Sequence, residues 1–301
     1  MNSSVPTFLI IGASKSGTST LHQALSSHPE IFMSSPKEPH YFSAMDNRLP
    51  SQGPDDISRL NLNIHSWEDY LTLFENAASY KARGESSTTY ISTPGTARRI
   101  KEKLPQIQLI AVLRNPVDRA YSSYMHLVRD GNERAATFEE GLAQEPQRRK
   151  EGWEGLWHYQ DRGFYYRQLR EYYDLFDQSQ IKVLLYEDLN KYSQTFLKEL
   201  LTFIGVDPDW PIDLSQTLNK GGLPGSPKIH RVVAGPQPWK QPIKKILSSE
   251  IRNQIKELYL KTTMRKTSMR QETRKQLQLS YRDDILNLQD LIGTDLSHWL
   301  T

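Results

Sequence analysis

Residues 8–21 read FLIIGASKSGTSTL, and this stretch constrains the fold more than any other. Four apolar residues, Phe8 to Ile11, predict a buried strand. Gly12 and Gly17 then bound a turn of small residues, and a helical pattern runs from Leu21 to Leu25. Strand, small-residue turn and helix start is the layout that aims successive backbone N–H groups at an anion. The Gly12-x-x-x-x-Gly17 spacing is that of a phosphate loop. A nucleoside-triphosphate site wants Lys directly after the second Gly, and then Ser or Thr for magnesium. Thr18 stands in that place instead, and the one cation of the loop, Lys15, lies inside it. The stretch from Lys15 through Ser16, Gly17, Thr18, Ser19 and Thr20 therefore predicts an anion cradle, but argues against magnesium–ATP.

Other apolar runs occur at wide intervals. Ile31–Met33 is short, residues 81–87 suggest a strand ending in a polar turn, and Gln108–Leu113 and Ile181–Tyr186 are continuous enough for interior parallel strands. Helical periodicity between them covers 94–104, the segment after Pro116, 165–176, 196–204 and 272–291, with a further helix expected at 243–260. Residues 46–63 read as a surface excursion, 131–162 as charged and irregular, and 205–242 as a long Pro/Gly loop. Strands alternating with helices predict a three-layer α/β fold of phosphate-loop type: a central parallel sheet flanked by helices, in one domain spanning 1–301. Ligands of such sheets sit at the carboxyl ends of the strands. Arg114 comes directly after the strand 108–113, so it and the Lys15 loop can share one crevice. Ser122 lies two helical turns further on, and an Arg fork with a hydroxyl can hold a second phosphate.

Composition narrows the chemistry. The chain has 301 residues, no cysteine and a formal charge of +3. That excludes a disulfide framework, thiolate metal sites and cysteine nucleophiles, and it is too weak a charge to predict a nucleic-acid partner. The scattered histidines show no metal-ligand spacing. The first six residues carry no basic n-region, and no apolar run approaches membrane-spanning length, which predicts a cytoplasmic protein without integral membrane association.

Taken together, Ser14–Thr20 and the Arg114/Ser122 pair resemble the sulfotransferases that use 3′-phosphoadenosine 5′-phosphosulfate (PAPS). The likeness continues at 186–189, at 219–224 and at 295–300, and is nearest to the bacterial and heparan-type carbohydrate branch. The resemblance implies that Lys15 and the loop hold the 5′-phosphosulfate, that Arg114 and Ser122 hold the 3′-phosphate, and that Lys220, Gly221 and Gly222 close over that phosphate. It implies PAPS as donor, 3′-phosphoadenosine 5′-phosphate (PAP) as product and no metal. In those relatives a Glu-x-His-Phe-Phe-like segment supplies the catalytic base; here it reads Glu38-Pro39-His40-Tyr41-Phe42. Loss of a hydroxyl proton needs a carboxylate or imidazole within hydrogen-bond reach, and Glu38 and His40 both qualify. The relatives also carry a Lys where this chain has Ser86, and Lys37 could stand in for it.

The implied acceptor is an alcohol: a sugar, a lipid, or a polyketide or carrier-bound hydroxyl. Two other classes fit parts of the pattern, a phosphate-loop small-molecule kinase and a non-catalytic nucleotide-binding module. Arg119, Arg129 and the basic residues of 98–103 read as solvated faces or ion pairs. Trp153, Trp157 and Tyr165 read either as pocket lining or as core.

Overall fold

The computed structural model describes residues 5–44, 53, 64–212, 223–224, 264–265 and 269–301. Five strands, β1 (Phe8–Gly12), β2 (Ile31–Met33), β3 (Ala82–Ser86), β4 (Gln108–Leu113) and β5 (Ile181–Leu185), form one sheet in the order β2-β3-β1-β4-β5. Every neighbouring pair is parallel. The order reverses at β1: the chain continues to β2 and β3 on one side of it and to β4 and β5 on the other. The carboxyl end of β1 is therefore the switch point at which a crevice opens.

Alternation along the strands builds the two outer layers. Phe8 and Ile10 of β1, Ile110 and Val112 of β4 and Leu184 of β5 face one apolar cluster. That layer is closed by α1 (Thr18–Leu25) and α9 (Ser193–Ile204); α8 (Tyr186–Lys191) joins it to β5. Leu9, Ile11, Leu109, Ala111 and Leu113 face the larger cluster on the opposite side. There α4 (Thr96–Lys103), α5 (Pro116–Arg129), α7 (Tyr165–Leu175) and α10 (Gln271–Ile292) pack against the sheet. Two short helices, α2 (Tyr41–Ala44) and α3 (Trp67–Thr72), add stacked aromatics to the same layer: Tyr70 lies on Tyr41 and on Trp67 at 4.9 and 5.3 Å. The three-layer α/β expectation is met, as are the strands at 31–33, 82–86, 108–113 and 181–185. A two-residue antiparallel pair, β6 (Leu223–Pro224) with β7 (Met264–Arg265), forms a second sheet.

Two expectations are corrected. The segment 131–162 is not irregular: α6 (Phe138–Lys150) occupies its middle, with Thr137 Oγ1 accepting from the Glu140 amide at 3.2 Å as its cap. It escapes a periodicity reading because its inward face is polar. Arg148 forks onto Glu133 at 2.8 and 2.7 Å, and the Tyr159 hydroxyl donates to the same carboxylate. Arg119 is not solvated either. It is fully buried on α5, and its guanidinium donates to the Tyr159 carbonyl. Trp157 and Tyr165 are likewise fully buried, and so belong to the core. The helix expected at 243–260, the excursion at 46–63 save residue 53, and Lys220, Gly221 and Gly222 lie outside the described residues.

Candidate active site

The loop after β1 runs directly into α1. Gly17 sits at φ +83° as the residue before the helix, and an added Cβ there would meet the Tyr186 ring at 3.0 Å. Only glycine meets both demands. The helix has no side-chain cap hydrogen bond, and the positive end of its dipole faces the crevice. From the other side of the switch point, Arg114 Nη1 donates to the Lys15 carbonyl at 3.2 Å, and its guanidinium lies 4.8 Å from the centre of the Tyr186 ring. The Tyr165 hydroxyl donates to the Arg114 carbonyl at 3.0 Å. The expected convergence of Arg114 with the Lys15 loop is thus present. Ser122 is half-buried on α5.

The third side of the crevice is the segment 37–43, laid over the end of β3. The Glu38 amide donates to the Ser86 carbonyl at 3.0 Å, and the His40 amide to Ser87 Oγ at 3.1 Å. Glu38 is held on both oxygens. Lys37 Nζ approaches Oε1 at 2.5 Å, where Thr88 Oγ1 also donates at 3.4 Å, and His40 Nε2 approaches Oε2 at 3.3 Å. The other imidazole nitrogen, Nδ1, meets Thr89 Oγ1 at 2.8 Å, and that hydroxyl meets Ser43 Oγ at 2.7 Å. Arg99 Nε ties down the far end of the segment by donating to the Phe42 carbonyl at 2.7 Å.

Backbone geometry singles out the same residues. Among the described residues, the non-glycine positions with positive φ are Lys15 (+68°), Glu38 (+61°) and His40 (+57°). Side chains rarely adopt this conformation, which costs on the order of 1 kcal/mol or more and collects where surrounding structure enforces a functional geometry.

The electrostatics agree with an anion site. Burial draws the Lys15 ammonium down from 10.5 to about 8, helped by Arg129 and Arg114 and opposed by Asp130 and Glu38. Burial would raise the Glu38 carboxyl, but the His40 hydrogen bond and the Lys37 charge outweigh it and hold the group at about 2. His22, on the next turn of α1, is lowered to about 4 by burial and then by Lys37. The Lys15 ammonium thus lies among two positive and two negative neighbours, and burial is the larger reason that its charge is disfavoured.

Arg129 pairs with Asp130 at 3.3 Å and with His126 at 2.6 Å, so the ion-pair expectation holds, with the added finding that its charge reaches Lys15. The sequence singles out residues 84–88, but only for Ser86; it gives no role to Glu85, Ser87 or Thr88, and it does not reach Thr89. Hydroxyl residues after a strand carry no pattern; only the sheet order brings them under Glu38 and His40. Among the described residues no group of His, Asp or Glu could hold a metal ion, and no helix is long and apolar enough to cross a membrane.

Comparison with known proteins bears on this arrangement. A family model described as "Sulfotransferase family" matches residues 6–211. The crystal structure of a sulfotransferase from Alicyclobacillus acidocaldarius superposes with a TM-score of 0.78 at 32% identity, covering 99% of both chains. The membrane-associated sulfotransferase kil1 of Dictyostelium discoideum is 37% identical over 120 residues, 40% of this chain and 22% of that protein. The bifunctional heparan sulfate N-deacetylase/N-sulfotransferase 2 of Bos taurus is 34% identical over 122 residues, 40% of this chain and 13% of that protein. The matched region thus spans less than a quarter of either curated relative.

Proposed function

The chain belongs to the sulfotransferase family, and on that premise we propose that it moves the sulfuryl group of PAPS onto an acceptor hydroxyl. The observation that carries the reading is the left-handed backbone shared by Lys15, Glu38 and His40, with the Glu38 carboxylate paired to His40 and its charge reaching Lys15 beside the uncapped N-terminus of α1.

In-line displacement at sulfur asks the protein for little covalent chemistry; positioning and charge stabilisation dominate, as in phosphoryl transfer. The α1 amides from Gly17 to Thr20 take the 5′-phosphate at the positive end of the helix. Lys15 is assigned to the bridging oxygen, where negative charge accumulates as the S–O bond to the nucleotide breaks. Arg114 and Ser122 hold the 3′-phosphate, which selects this donor over ordinary adenine nucleotides. Lys220, Gly221 and Gly222 are assigned to the same phosphate on the strength of sequence alone.

The acceptor proton goes to the Glu38–His40 pair. A carboxylate held at about 2 is a weak base by itself. Its value lies in orienting the His40 ring, whose Nε2 it faces at 3.3 Å. Lys37 can then release Glu38 and face the moving sulfuryl oxygens. The relatives named for heparan sulfate favour a carbohydrate acceptor; their name gives N-sulfation, so a sugar amine is screened beside sugar hydroxyls and beside lipid and polyketide or carrier-bound alcohols.

The test is a metal-free titration with PAP and with ATP, and then transfer of labelled sulfuryl from PAPS to a panel of alcohols. PAP binds and ATP does not; Lys15→Ala and Glu38→Ala each lose most of the turnover, while Arg114→Ala mainly weakens PAP. Full turnover in Lys15→Ala removes the leaving-group role.

A further inference from the structure

Glu85 is an acidic side chain at the site that the transfer reaction does not use. It points from β3 into the larger apolar layer and is fully buried. Its partners are hydroxyl groups rather than a lysine or arginine. Ser87 Oγ donates to Oε2 at 2.9 Å, the Tyr70 hydroxyl donates to Oε1 at 3.3 Å, and the Tyr90 hydroxyl also hydrogen-bonds the carboxyl. A buried carboxyl without a cation is costly, and three donors are what offset it.

Those hydroxyls have a second task. Ser87 Oγ accepts the His40 amide at 3.1 Å, and the Tyr90 hydroxyl accepts the Phe42 amide at 3.4 Å. Each hydroxyl owns one proton. When that proton is given to Glu85, the lone pairs are left facing the 38–42 segment. The carboxylate thus sets the polarity of two acceptors that grip the backbone on either side of Tyr41. His40 is itself one of the left-handed residues, and such a conformation persists only when its surroundings enforce it.

We propose that Glu85 is a positioning residue for the transfer reaction: it orients the Ser87 and Tyr90 hydroxyls so that they hold the His40 and Phe42 amides, and thereby the turn that presents Glu38 and His40. Its kinetic consequence rests on the sulfuryl-transfer reading; its structural consequence does not. Glu85→Gln keeps the shape but replaces one acceptor oxygen with a donor NH2. At least one hydroxyl must then turn its proton elsewhere, and the segment loosens. Tyr70 supplies the internal control, because it also hydrogen-bonds Glu85 yet holds neither of these amides.

The experiment is backbone hydrogen exchange with steady-state kinetics on wild type, Glu85→Gln and Tyr70→Phe at pH 8, above the value of about 7 to which burial raises the carboxyl. Exchange at the His40 and Phe42 amides speeds at least tenfold in Glu85→Gln, while the amides of β4 are unchanged. kcat falls at least tenfold with PAP affinity within twofold of wild type. Tyr70→Phe lowers the melting temperature but leaves both amides and kcat near wild type. Unchanged exchange at both amides in Glu85→Gln overturns the proposal, as does an equal effect from Tyr70→Phe. If Glu85→Gln does not fold, Ser87→Ala decides: a faster His40 amide beside a protected Phe42 amide supports the role, and an unchanged His40 amide rejects it. If the wild type transfers no sulfuryl group to any acceptor, the sulfotransferase reading fails, and the exchange data still decide what Glu85 does.

Discussion

Lys15 is placed for a ligand at a cost to the fold. Its folded value of about 8 lies below the ordinary 10.5, because the charged form is buried and faces Arg129 and Arg114. Between about 8 and 10.5 the unfolded chain binds more protons at this site than the folded one, so stability rises with pH across that window. Below 8 both states are protonated and the penalty stands in full. Lys15→Met therefore melts higher than wild type at pH 7, the gap narrows on going to pH 10, and PAP no longer raises the melting temperature; thermal unfolding at the two pH values measures this. Glu38 has the opposite sense. Its carboxyl is depressed from 4.5 to about 2 by His40 and Lys37 against the pull of burial, so it stabilises the fold above 4.5 and that contribution is lost as pH falls through 2. Glu38→Gln flattens the acid limb of the stability curve between these values. In the same variant kcat falls by about 10²–10⁴ while PAP affinity stays. Both residues are legible in the sequence because loop spacing and the Glu-Pro-His segment are local patterns. Thr88 and Thr89, which hold the pair from below, are not: their importance comes from β3 lying beside β2, a non-local fact.

Among the elements, α5 links the two ends of the site. Pro116 opens it, and Asn115 Oδ1 caps it by accepting from the Val117 and Asp118 amides at 3.0 and 3.5 Å. The Asn115 amide in turn donates to Glu187 Oε1 at 2.9 Å, beside the Tyr186 ring that carries Arg114. One residue thus fixes the start of the helix and the position of the arginine before it. Asn115→Ala lowers the unfolding free energy by about 1 kcal/mol and also weakens PAP binding several-fold. Thr137→Ala removes the corresponding cap of α6; it lowers stability by a similar amount but leaves PAP affinity alone. Calorimetry of the two variants with and without PAP separates the effects. The contrast also shows why one helix is readable and the other is not. The buried face of α5, from Val117 through Ala120 and Tyr124 to Leu127, is an apolar stripe of helical period. That of α6 includes Phe138, Gly141, Glu145 and Arg148. Its inward charges are satisfied by Glu133 and by the Gln160 and Asp161 amides, partners that come from other parts of the chain.

At the scale of the whole molecule, the sheet order places three walls around one crevice, and the carboxyl-terminal segment holds the larger layer behind two of them. The family match ends at residue 211, yet α10 and the short turn after it are built into the core. Leu277, Tyr281, Ile285, Leu288, Leu296 and Trp299 are all nearly or fully buried. Tyr281 also donates to the Gln160 carbonyl at 2.8 Å, and its ring meets Phe164 at 5.0 Å, just before α7. On the sequence, the period of 272–291 announces an amphipathic helix but not its partner, since its contacts lie more than a hundred positions earlier. Burial of a large apolar side chain is worth about 1.5–3 kcal/mol, so six such residues contribute on the order of 10 kcal/mol. Domains are stable by about 5–15 kcal/mol in total. A chain ending at residue 268 therefore does not fold, even though it keeps every residue assigned here to the donor and the base. Trp299→Ala, at about 3–5 kcal/mol, leaves a folded but weakened protein whose PAP affinity at low temperature matches wild type. Circular dichroism of the truncated chain and a melting curve of the Trp299 variant check both outcomes. A truncated chain that melts cooperatively and binds PAP would place the stabilising core within the family-matched region and make the last helix an accessory to it.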